Sequence, residues 1–98
     1  MKKERKVVFS TRARQDILTA YEFYEASQRD LGDYFNVQLK DCVASILKVP
    51  EGFKIVHKDF RQIKLKKFPY VIIYSVNIEE IVILKVFHTS LNPKKKFK

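Results

Sequence analysis

The stretch KFPYVIIYSVNIEEIVILKVFH, Lys67 to His88, decides the fold. Tyr70 to Val76 and Ile81 to Phe87 are almost unbroken β-branched and aromatic runs, the composition of buried strands. Asn77-Ile78-Glu79-Glu80 between them is short enough for a hairpin. Upstream, Arg61 to Leu65 alternates apolar with polar, and Lys67-Phe68-Pro69 supplies a second tight break. Three strands in an antiparallel meander follow. With turns centred near Phe68 and between Ile78 and Glu79, Leu65 falls opposite Val71 or Ile72, and Tyr70 opposite Phe87.

Working toward the N-terminus, the period changes. Leu31, Phe35, Leu39, Cys42, Val43, Ile46 and Leu47 recur at spacings of three and four until Pro50 and Gly52 stop the run, which is the buried stripe of a helix. Asp30 stands where its N-cap belongs. Ala13, Ile17, Ala20, Tyr21 and Tyr24 form the stripe of an earlier helix ending near Gln28 or Arg29, and Ser10 stands at its N-cap. The connection is about two residues, so the helices fold back as an antiparallel hairpin. Val7-Val8-Phe9 reads as a first short strand whose place in the sheet the local pattern leaves open. The expected fold is α+β, order βααβββ, an antiparallel sheet packed on one face by an N-terminal α-helical hairpin.

The chain has 98 residues, enough for one modest core, and no Gly/Ser/Pro linker divides it. A single domain over 1–98 is expected, with a basic C-terminal tail from about 92. No apolar run approaches a membrane span, and the charged opening residues lack the apolar segment of an export signal. One cysteine and two distant histidines leave no disulfide and no zinc ligand set, so neither metal nor cofactor is expected, and the expected compartment is the cytoplasm. There is no phosphate-binding glycine loop, HExxH or nucleophile elbow.

Net charge is +9, and its placement is uneven. Residues 1–14 carry +5, residues 15–53 carry −4 and residues 54–98 carry +8. An acidic partner, nucleic acid or an acidic protein segment, suits this balance. The hairpin arithmetic gathers Lys64, Lys66, Lys67, Tyr70, His88 and the start of the tail, with Lys94 and Lys95, at one end of the sheet. Arg61 lies about 20 Å away toward the other end.

Each of these residues has a functional and a structural reading. His88 suits general acid or base chemistry at neutral pH, or packs at the sheet edge. Lys64, Lys66 and Lys67 suit phosphate contacts, or form a solvated face. Arg61 suits a fork on phosphate or carboxylate, or a structural pair with Asp16 or Glu22. Tyr21, Tyr24, Tyr70 and Tyr74 have the spacing of core residues, Cys42 lies on an apolar stripe, and His57 reads as a loop residue.

The order of these motifs resembles the RelE/ParE superfamily of bacterial type II toxins. The resemblance runs from Val8-Phe9-Ser10, Ala13, Asp16 and Ile17 through Phe23-Tyr24-Glu25, Leu31-Gly32, Phe35 and Pro50. It continues over Arg61 to Leu65, Phe68 to Tyr74, Val86-Phe87-His88 and Asn92-Pro93. It implies a small basic protein held inactive by a cognate acidic antitoxin in a hetero-oligomer. Two activities are implied by such a fold: poisoning of DNA gyrase, and ribosome-dependent cleavage of mRNA. The nuclease branch often places arginine after the aromatic that opens the middle strand, where this chain has Val71, and relatives often show arginine after the histidine, where it has Leu91. The expected branch is therefore ParE-like. In the nuclease alternative Tyr70 and His88 would be catalytic, and a non-toxic RNA-binding or relic module is the second alternative.

Overall fold

The computed structural model describes residues 5–90. Lys94, Lys95 and the rest of the tail lie outside the described residues. The elements are β1 (Lys6–Phe9), α1 (Thr11–Ser27), α2 (Leu31–Lys48), β2 (Ile55–His57), β3 (Phe60–Lys64), β4 (Tyr70–Val76) and β5 (Glu80–His88). The five strands form one sheet in the order β1-β5-β4-β3-β2.

This is the expected α+β architecture with two corrections. The sheet is mixed, because β1 runs parallel to β5, with Val7 opposite Ile81 and Phe9 opposite Ile83. A parallel pair between residues more than seventy positions apart leaves no mark in local periodicity, unlike a hairpin. The second correction is an additional edge strand, β2, paired antiparallel with β3 through the tight turn at Lys58-Asp59. His57 closes that strand instead of lying in a loop. Three residues are too few for an alternation to show.

Ser10 caps α1 as its identity requires. Its Oγ accepts from Ala13 N–H at 3.0 Å and donates to Leu84 C=O at 2.8 Å, joining the helix start to β5. Asp30 does not cap α2. It adopts a left-handed φ of 70° and its side chain makes no capping bond. Glu25, near the end of α1, does the work instead: its carboxylate accepts from Asp30 N–H and Gly32 N–H, both at 3.0 Å. An anion at a helix N-terminus is favourable for its charge as well as its lone pairs.

The core lies between the hairpin and one face of the sheet. Ala13 and Ala20 of α1, and Phe35, Leu39, Cys42 and Ile46 of α2, meet Tyr70, Ile72, Tyr74, Ile81, Ile83 and Val86. Burying each large apolar side chain contributes about 1.5–3 kcal/mol. Leu47, expected on the buried stripe, is 36% exposed because the helix turns that position away from the sheet. Phe68, in the β3–β4 turn, is buried and completes an aromatic cluster with ring centroids 4.8 Å from Tyr24 and 5.2 Å from Phe35.

At the opposite end, Tyr74 Oη donates to Pro50 C=O at 2.8 Å, and the Arg61 guanidinium donates to Glu51 and Phe53 C=O at 3.0 and 2.8 Å. These bonds tie the segment after α2 to the sheet. They correct the expected structural pairing of Arg61 with Asp16 or Glu22, since Asp16 is held by Arg12 Nε at 3.0 Å and accepts from Val86 N–H at 3.0 Å.

Candidate functional site

The end of the sheet where β4 begins and β5 ends brings Tyr70 and His88 together. They are directly opposite in the ladder, one position from the expected pairing of Tyr70 with Phe87. An irregularity explains the offset: Ile73 pairs with Lys85 but Tyr74 with Ile83, so Leu84 is an extra residue on β5. The β3–β4 turn likewise centres half a residue early, placing Lys64 opposite Val71.

Tyr70 and His88 stack edge to face with centroids 4.9 Å apart. Tyr70 is buried in the core, and burial, followed by its bond with Tyr24, pushes its hydroxyl up to about 12. It stays protonated at neutral pH. Ser90 N–H donates to His88 Nδ1 at 3.1 Å, so the neutral ring carries its proton on Nε2 and presents a donor there. The pair therefore offers N–H and O–H groups and no ready base.

Side chains alternate across a strand, and the register decides who faces whom. Tyr70 and His88 share the helix-covered face, while Lys64 lies on the other face with Val71 and Phe87. Lys66 and Lys67 are exposed on the β3–β4 turn between those faces. Lys66 is near enough to Cys42 to lower its thiol pKa, but burial dominates and pushes that thiol up, which leaves it a core residue. Arg61 lies at the far end, committed to the carbonyls above. Thus one sheet end holds Tyr70, His88, Lys66 and Lys67, but Lys64 points away from the aromatic pair. Among the described residues no three His, Cys, Asp or Glu side chains come together as a metal site, and no helix is long and apolar enough to cross a membrane.

A second feature was not singled out in the sequence. Between α1 and α2, on the hairpin's solvent side, lies an apolar groove of about 420 Å³ lined by Phe9, Arg14, Ile17, Leu18, Tyr21 and Leu39, together with Asn36. Asn36 Oδ1 is buried there and accepts no hydrogen bond, while Leu18 is 57% exposed. The available signal was Leu18 itself, a large apolar residue off the Ala13–Ile17–Ala20–Tyr24 stripe. Phe23 and Val37 are off-stripe and exposed in the same way.

This architecture is that of a small two-layer α+β domain found in toxin–antitoxin systems. It is similar to a solved chain of the chromosomal ParDE TA system from P. aeruginosa, with a TM-score of 0.76 at 17% identity, covering 87% of this chain and 96% of that one. No curated protein sequence matches. The model of the ParE toxin of type II toxin–antitoxin system, parDE, matches residues 7–93, and the chain belongs to that family. Membership implies an antitoxin partner.

Proposed function

We propose that this toxin arrests growth by engaging DNA gyrase and is neutralised in the cytoplasm by an acidic antitoxin that forms a hetero-oligomer with it. The observation that carries the choice of target is the disposition of the polar groups. Cleavage of RNA needs a base, an acid and phosphate-binding cations facing one space. Here Tyr70 is held neutral in the core, His88 presents a donor, and Lys64 lies across the sheet from both. An inhibitor that works by binding needs only a surface, and Lys66 and Lys67 with the adjoining aromatic end provide one. Lys94 and Lys95 extend that basic surface in sequence.

The antitoxin reading rests on family membership, on the +9 charge and on the α1–α2 groove. An amphipathic segment placing apolar side chains against Leu18, Ile17 and Leu39, with one donor for Asn36 Oδ1, would satisfy every group there. The ribosome-dependent nuclease is the second reading, with Tyr70 and His88 as its catalytic pair. Inducing the chain in cells and following DNA damage beside mRNA ends separates the two. An SOS response with intact transcripts is expected; codon-phased mRNA cleavage without DNA damage would reverse the assignment.

A further inference from the structure

Where β1 ends, β5 continues alone. β1 pairs only with residues 80–83 of β5, and α1 runs beside the remainder, with Asp16 holding Val86 N–H and Ser10 holding Leu84 C=O. Between α1 and this part of β5 is a notch of about 200 Å³ lined by Arg12, Asp16, Thr19, Tyr70, Val86 and His88, among others. It is a different place from the groove between the helices and from the helix-free face that carries Lys64.

The notch has more donors than acceptors. Arg12 meets Asp16 through Nε, so the terminal guanidinium nitrogens are not spent on that carboxylate, and its side chain is 51% exposed. His88 presents Nε2–H because Nδ1 is taken by Ser90. Thr19 adds a hydroxyl. Both Asp16 oxygens are engaged, by Arg12 and by Val86. The local field is positive: Lys85, beside the notch, is held below the usual lysine range by burial and then by Arg12. Along α1 the stripe Arg12–Asp16–Thr19 reaches Phe23 four residues later, and Phe23 is 62% exposed.

We propose that this notch receives a carboxylate side chain, with an apolar neighbour on Phe23, from an extended acidic segment of a partner protein. Arg12 and His88 Nε2–H are its two principal donors. The volume admits one side chain. The carboxylate of Asp16 at the floor tells against a nucleic-acid backbone, because a second anion with multiple negative oxygens is repelled where a single carboxylate is balanced by Arg12. The inference concerns the chemistry of the partner and stands whether gyrase or the ribosome is the target.

The test is an NMR titration of the full chain, isotopically labelled, with the capped tetrapeptide Gly-Phe-Glu-Gly, its Gln counterpart and inorganic phosphate. The Glu peptide is expected to shift the Arg12 Nε, Thr19, Val86 and His88 Nε2 signals, with the Gln peptide at least about tenfold weaker, as expected for loss of a charge-assisted contact worth about 1.4 kcal/mol or more. R12Q should remove the effect and R12K retain part of it, with both variants checked for an unchanged melting transition. Equal binding of the two peptides, shifts confined to Lys66 and Lys67, or no shift at millimolar peptide would overturn the proposal. Stronger shifts of the same signals by phosphate would overturn it in favour of a phosphodiester ligand.

Discussion

Glu25 shows how one side chain can hold a hairpin. It leaves α1, closes over the two-residue turn and accepts two N–H groups of α2, a role the sequence assigns to Asp30 because Asp is the usual cap. Glu25→Ala is expected to cost about 1–2 kcal/mol, the worth of a lost helix cap, with Glu25→Gln recovering part of it. Asp30→Gly is expected to be neutral or stabilising, since Asp30 gains nothing from its side chain and sits at φ 70°, where glycine is unstrained. Thermal melts of the three variants check both statements, and a large loss in Asp30→Gly would restore Asp30 as the cap. Gly32 is a question of space instead. A Cβ there would stand 2.8 Å from the Tyr21 ring and from Tyr21 C=O, where the helices touch. The ring can swing but the carbonyl cannot, so Gly32→Ala should destabilise by about 1–3 kcal/mol despite alanine's better helix propensity.

Elements whose partners are near in sequence were legible, and those with remote partners were not. Both helices, the Ser10 cap and the β3–β4–β5 meander follow from periodicity and turn chemistry. β1 beside β5 and the short edge strand β2 do not, because one is a long-range parallel pair and the other has no alternation to read. The offset of Tyr70 against His88 depends on the extra residue Leu84 inside an otherwise uniform apolar run, which no composition signal marks. For the candidate site, Tyr70, His88, Lys66 and Lys67 were placed together correctly, whereas the separation of Lys64 required the register. Tyr74 illustrates how an element is anchored. Its hydroxyl bonds Pro50 C=O and burial raises it to about 12, partly offset by Arg61. The folded pKa lies above the ordinary 10, so the stabilisation is complete below pH 10 and is lost as pH rises through 12. Tyr74→Phe should be less stable than the parent by about 1 kcal/mol at neutral pH, the worth of one hydrogen bond. The gap should narrow between pH 10 and 12. Urea unfolding at pH 8 and pH 11 measures it, and a gap that widens with pH would contradict the assigned role.

At the scale of the whole molecule, two surfaces face apart. The α1–α2 groove is apolar with one orphan acceptor, and the sheet end is basic and aromatic-rich. If the antitoxin occupies the first and the target the second, a change confined to the groove should separate neutralisation from toxicity. Leu18 is suited to the experiment because it lines the groove and is 57% exposed, so replacing it leaves the core between hairpin and sheet untouched. Leu18→Glu places a charge where an apolar side chain would be buried, and opposes the acidic partner that the net charge of +9 attracts. Stability should stay within about 0.5 kcal/mol, the usual range for surface substitutions. Antitoxin affinity should fall by about 100-fold, the product of a lost apolar contact and an unpaired charge at roughly 1.4 kcal/mol each. Growth arrest by Leu18→Glu alone should match the parent, but co-expressed antitoxin should no longer relieve it. Calorimetric titration of the purified variant together with a growth assay reads both quantities. Unchanged affinity would remove the groove from the antitoxin interface, and loss of arrest in a folded variant would place the target there instead.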